Sequence, residues 1–174
     1  MAMHAHVQVQ TAAAMRDLGR RLAGVLRAGD LVLLEGPLGA GKTTLVQGLG
    51  EGLGVRGRVT SPTFVIARVH PSLTGGPALV HADAYRLASP AEVDDLDLDA
   101  SLAASVTVVE WGGGLAEGLA ADRLEIAIDR PRAARSGASE GDEPRTVRIA
   151  GIGPRWESAA DSASMALAGG PEAL

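Results

Sequence analysis

Four consecutive apolar residues, Leu31-Val32-Leu33-Leu34, run into Gly36-Pro37-Leu38-Gly39-Ala40-Gly41-Lys42-Thr43. A short unbroken apolar run fits a strand buried on both faces of a parallel sheet. The segment after Glu35 satisfies G-x-x-x-x-G-K-[ST] in full, and a helical pattern follows, with Leu45, Leu49 and Leu53 on one face and Gly54 placed to stop it. Gly48, Gly50 and Gly52 weaken that helix on propensity alone. Strand, glycine-rich loop and helix in this order make a phosphate-binding P-loop. The glycines let the backbone wrap with its N–H groups inward, and the helix N-terminus adds partial positive charge. Lys42 is placed to bridge β- and γ-phosphate oxygens, and the Thr43 hydroxyl to ligate Mg²⁺.

The rest of the chain supports an α/β domain. Thr11 is a candidate N-cap for a helix to about Leu26, with Met15, Leu18, Leu22, Val25 and Leu26 at helical spacing. Phe64 to Val69 and Ala78 to Tyr85 read as strands joined by a turn-rich Pro71 to Pro77, hence a hairpin. Ser89-Pro90 opens a short acidic helix to about Leu102, and Val106 to Val109 is a second buried-strand run. Leu124 to Ile128 and Thr146 to Ile152 are late strands around a loop at 130–144 rich in Pro, Gly, Ser and charge. The pattern predicts a three-layer P-loop NTPase fold, mainly parallel with an antiparallel hairpin. Residues 1–153 make one domain, and 154–174 a tail that is a frayed helix or disordered.

Composition narrows the function classes. The chain of 174 residues has no cysteine, which excludes a disulfide scaffold, a zinc-thiolate site and cysteine catalysis. No apolar run reaches the ~18 residues of a membrane span, and the start MAMHAHVQVQ lacks the pattern of a secretory signal, so a cytoplasmic protein is expected. The net charge of -5 argues against tight RNA binding by this chain alone. Fifteen arginines stand against one lysine, and that lysine is Lys42. A compact ammonium on a flexible stem is what the loop requires there.

A P-loop enzyme needs a carboxylate at a neighbouring strand end, to hold the magnesium shell or to orient water. Asp83 and Glu110 are the two candidates, each near the C-terminal end of a strand. Ser61-Pro62-Thr63-Phe64 presents two hydroxyls before a strand, as a phosphate-sensing switch would. Strand alternation puts His81 on the face of Asp83, where it would position that carboxylate. His4 and His6 form an H-x-H with no third ligand in view, and no zinc site is expected.

GPLGAGKTT, SPTF, HADAYRL and VVEW, in that order, resemble the bacterial TsaE (formerly YjeE) family, the ATPase of tRNA threonylcarbamoyladenosine synthesis. The resemblance spans about Thr11 to Ile128, and three of the four aromatics, Phe64, Tyr85 and Trp111, fall in its motifs. It implies a Mg²⁺-dependent ATPase working with the partner proteins TsaD and TsaB, which place a threonylcarbamoyl group on N6 of adenosine 37 of ANN-decoding tRNAs. The chain would meet tRNA indirectly, through that complex, and hydrolyse ATP to keep it turning over. Gly39, Ala40, Gly41, Lys42, Thr43 and Thr44 would hold the phosphates, and Thr43 with Glu110 the Mg²⁺. Asp83 would activate or orient water and Ser61 and Thr63 would act as the switch. Trp111 would pack beside the nucleotide, and Thr11 would line its base side. Pro37 stands where the family has an acidic residue, and Gly112 where it has proline. Beyond Ile128 the match is loose, and Arg130, Arg132 and Arg145 inherit no role from it.

Two other readings remain open. A small-molecule kinase would use an arginine-rich lid, which Arg130, Arg132 and Arg135 would supply, but gives no account of SPTF or VVEW. A non-catalytic nucleotide-gated adaptor would share the loop and need no water-orienting carboxylate. A GTPase is disfavoured, because the chain has no asparagine for a guanine-reading N-K-x-D.

Overall fold

The computed structural model describes residues 3–37, 39–57, 59, 67–83, 102–110, 120–130 and 144–168. Within them lie β1 (Met3–Val9), α1 (Ala12–Ala23), β2 (Leu31–Glu35), α2 (Lys42–Leu53), β3 (Ala67–His70) and β4 (Ala78–Asp83). They are followed by β5 (Ser105–Glu110), β6 (Arg123–Asp129), β7 (Arg145–Ile152), α3 (Pro154–Ser158) and α4 (Ala160–Ala168). The strands form one sheet in the order β1-β7-β6-β2-β5-β4-β3. β6, β2, β5 and β4 run parallel at its centre, whereas β7, β1 and β3 are antiparallel to their neighbours.

The expected hairpin is present as β3–β4, with Ala67 opposite Ala82. The antiparallel share extends further than the sequence suggested, because β1 adds an edge strand that the pattern reading did not assign. Its residues alternate, with Met3, Val7 and Val9 buried and His4 and Gln8 exposed. The acidic helix expected from Ser89, and with it the third layer, lies outside the described residues.

One sheet face carries the larger core. Val32 and Leu34 of β2, Val106 and Val108 of β5, and Leu124, Ile126 and Ile128 of β6 meet Leu18, Leu22, Leu45 and Leu49 of the two long helices. The opposite face buries Leu31, Leu33, Val80, Ala82 and Val109 in a second cluster. β2 contributes to both, which is why its first four residues are all apolar and buried.

The glycines of α2 have a packing role that outweighs their helix propensity. A Cβ on Gly48 would collide with the carbonyl oxygen of Arg16, and one on Gly19 with that of Leu45, so α1 and α2 cross backbone to backbone. Gly48→Ala gains ~1 kcal/mol of helix propensity but forces the helices apart. A net loss of about 1–3 kcal/mol is expected, read as a lower midpoint in urea unfolding.

Of the segment expected to be a frayed helix or disordered, the described residues to Ala168 form α3 and α4, which are packed against the core. Trp156 is fully buried, and Ala163 and Leu167 join the main core. Arg155 of α3 grips Asp30, just ahead of β2, with Nε–Oδ1 at 3.2 Å and Nη2–Oδ2 at 3.0 Å, while Nη2 also donates to the Val25 carbonyl at 2.8 Å. The same guanidinium lies 4.3 Å over the Trp156 ring. Small, polar-looking composition concealed a single large anchor.

His70 ends β3 in a buried position. Burial pushes its imidazole below the ordinary histidine value, a hydrogen bond with the Arg56 backbone opposes that, and the neighbouring His81 and Arg68 lower it further. The folded state therefore resists a proton that the unfolded chain accepts, so stability is full above the unfolded value and is lost as pH falls through it. Thermal midpoints of the wild type are expected to fall between pH 7 and pH 5, and His70→Gln to flatten part of that slope.

Candidate functional site

β2 delivers the chain to the loop between Glu35 and Lys42, and α2 carries it away. Gly39 and Gly41 take φ of 77° and 108°, a left-handed conformation that side chains disfavour. A turn closed by Ala40 N–H on the Pro37 carbonyl at 3.0 Å, and the Leu45 N–H bond to Gly41 at 2.9 Å, shape the loop and start the helix. Gly41 is the N-cap of α2 and, having no side chain, supplies no cap to the first-turn N–H groups. Met15 of α1 packs under Gly41, its Cε 3.3 Å from where a Cβ would be.

Lys42 Nζ donates to the carbonyls of Gly36 at 2.5 Å and Pro37 at 3.3 Å. Burial pushes its ammonium below the ordinary lysine value, while the charges of Glu110 and then Asp83 pull it back. Both carboxylates therefore act on this cation through space. The register explains how: Asp83 and Glu110 are directly paired across β4 and β5, and Glu110 is also opposite Leu34 of β2. Two carboxylates stand side by side at the C-terminal ends of parallel strands, next to the loop that follows the third.

Glu110 is 3% exposed, and Asp83 is half-buried. The buried carboxylate is held by His81, whose Nε2 lies 3.0 Å from Glu110 Oε2. His81 was expected to position Asp83. It does share that face, but its bond crosses to the next strand instead.

The other flank of the loop holds two arginines. Arg145, at the start of β7 and 7% exposed, donates from Nη2 to the Gly39 carbonyl at 3.0 Å. Arg130, just after β6, has Nη1 3.1 Å from where a Cβ on Gly39 would sit. β6 is the parallel neighbour of β2 on the side away from β5, so the two guanidiniums face the loop from the side opposite the carboxylates. The resemblance gave these residues no role. Their signal was topological: they bracket the loop after the strand beside β2.

Thr11 is the N-cap of α1, accepting from Ala14 N–H at 3.1 Å, and is exposed. It follows Val9, which is opposite Arg145, so Thr11 belongs to the arginine flank. Thr43 and Thr44 lie in the first turn of α2. Ser61, Thr63, Trp111, Arg132 and Arg135 lie outside the described residues. His4 and His6 line a separate cavity of about 360 Å³ with Glu35, Glu125 and Arg148, on the sheet face away from Lys42. No helix among the described residues is long and apolar enough to cross a membrane.

The donor set fits a nucleotide phosphate with magnesium. Mg²⁺ is a hard cation usually bound through one or two carboxylates, with phosphate and water in most of its shell. The Thr43 hydroxyl and the Glu110 and Asp83 carboxylates are such oxygens, and Lys42 with the α2 N-terminus suits the anion.

A family model described as threonylcarbamoyl adenosine biosynthesis protein TsaE matches residues 9–137. A Streptomyces coelicolor protein named tRNA threonylcarbamoyladenosine biosynthesis protein TsaE is 64% identical over 146 residues, 83% of this chain and 95% of that one. A Bacillus subtilis protein of the same name is 36% identical over 143 residues, 82% of each. The crystal structure of Bacillus subtilis YdiB superposes with a TM-score of 0.72 at 29% identity, covering 94% of this chain and 96% of that one.

The Arg145 bond is testable without any ligand. Arg145→Met removes a charged hydrogen bond worth about 1.5–3 kcal/mol and frees Gly39. Faster amide exchange at residues 39–41 is expected, with the centre of the sheet unchanged.

Proposed function

The chain belongs to the TsaE family of tRNA threonylcarbamoyladenosine biosynthesis proteins, and from that membership we propose that it is a Mg²⁺-dependent ATPase serving the threonylcarbamoyl transfer step. The observation that carries the ATPase reading is the paired placement of Asp83 and Glu110 on adjacent strand ends, acting on Lys42 at the phosphate loop. A loop that merely bound nucleotide would have no use for a second, solvent-reaching carboxylate beside the first.

The different surroundings of the two carboxylates divide the labour. Glu110, buried and fixed by His81, suits a cation ligand, together with the Thr43 hydroxyl. Asp83, half-buried beside it, suits the orientation of water in line with the γ-phosphoryl group. Lys42 leaves the carbonyls of Gly36 and Pro37 to neutralise phosphate oxygens, and the backbone N–H groups from Gly39 to Thr44 bind the rest. When bound, Mg²⁺ would offset the charge that spreads over the phosphoryl oxygens. Arg130, Arg145 and Thr11 set the opposite, base-side flank.

In this reading TsaD and TsaB are the partners that do the transfer chemistry, and this chain meets tRNA through them. The net charge of -5 supports that, since a protein so charged repels a phosphate backbone.

ATP turnover in magnesium, measured for the chain alone and with TsaD and TsaB, tests the reading. Turnover that rises with the partners, vanishes in Lys42→Ala and falls by about 10²–10⁴ in Asp83→Asn is expected. No turnover despite ATP binding and complex assembly would make the chain a nucleotide-gated adaptor. Turnover stimulated instead by a small phosphoryl acceptor would make it a kinase.

A further inference from the structure

His81 is completely buried, and its ring has one polar contact among the described residues: Nε2 to Glu110 Oε2. Nδ1 is also buried and finds no hydrogen-bond partner. That asymmetry selects a tautomer. A carboxylate oxygen accepts, so the proton belongs on Nε2. A proton on Nδ1 would leave a donor unsatisfied in the core, whereas a bare nitrogen there costs less.

Strand geometry makes the contact rigid. His81 is opposite Val108 in the β4–β5 register, and Glu110 is two residues further along β5 on the same face. Both side chains are therefore fixed by a ladder that also aligns Asp83 with Glu110. One histidine in this place tethers one oxygen of the carboxylate whose charge acts on Lys42.

We propose that His81, as the Nε2–H tautomer, is a positioning residue that holds Glu110 in the orientation in which its second oxygen, Oε1, receives the magnesium ion of the bound nucleotide. This rests on the magnesium reading above. Partners of this kind are usual behind metal-binding carboxylates and histidines, and their loss typically costs about 10–100-fold in metal affinity.

The test is the binding of a fluorescent ADP analogue, with magnesium titrated and, separately, in excess EDTA. In His81→Ala the magnesium concentration that half-saturates the enhancement is expected to rise by about tenfold or more, with the affinity in EDTA unchanged. His81→Gln places an amide donor near the lost N–H and is expected to recover most of the wild-type response. Equal magnesium response in the wild type and His81→Ala, or an equal loss of affinity with and without magnesium, overturns the inference. So does failure of His81→Gln to restore any of it.

A wild type whose ADP affinity ignores magnesium overturns the magnesium reading and this inference together. Nitrogen-15 NMR of the histidine rings in the unmodified protein decides the matter even where a variant does not fold. The Nε2–H tautomer is expected for His81, and a neutral ring protonated on Nδ1 instead overturns the tether while leaving the magnesium reading standing.

Discussion

Burial of β2 on both faces, with hydrogen bonds to a parallel strand on each side, fixes nearly everything else in the molecule. Leu31 and Leu33 belong to one core and Val32 and Leu34 to the other. A slip of one residue against β5 or β6 would exchange the two sets and break both ladders. The strand therefore has one position, and the loop that follows it has one starting point. The same ladders carry Glu110 to a point opposite Leu34, and Asp83 to a point opposite Glu110. The carboxylates lie beside the loop because the sheet has no freedom to put them elsewhere.

The parts of the fold that were legible in the sequence are those whose signal is local. The apolar run of β2, the glycine pattern, the Thr11 cap and the Gly54 stop each announce themselves within a few residues, and α2 occupies Lys42–Leu53 as the spacing predicts. β1 was not assigned, although Met3, Val7 and Val9 alternate with polar residues as an edge strand should. That alternation covers only a few residues, and the strand that pairs with it lies far along the chain. The tail misled for a different reason: its small residues suggest little burial, and the weight rests on Trp156 and on the reach of Arg155 to Asp30. That ion pair joins residues far apart in sequence, and no local pattern encodes it.

The site divides along the same line. The loop and its two carboxylates follow from motif and strand ends. The partner of His81 does not, because alternation settles the face of a side chain but not the strand to which it reaches. The contact of Arg145 with Gly39 likewise needs the strand order, which places β6 and β7 beside β2 despite their distance along the chain. Sequence periodicity describes strands one at a time, whereas a site between strands is a property of their neighbours.

The first of the described strands completes the sheet by pairing with the last of them. Gln8 bonds Thr146 across a separation of 138 residues, and Met3 and Val9 have no β-sheet partner until β7 exists. A chain leaving the ribosome from its N-terminus must therefore hold β1 without this partner until residues 145–152 have been made. Arg145, which bonds the Gly39 carbonyl of the glycine-rich loop, is made long after that loop, as is Trp156. The segment with the plainest sequence signature is thus among the last to be secured, and a prematurely terminated chain carries the motif without the arginine that fastens its loop.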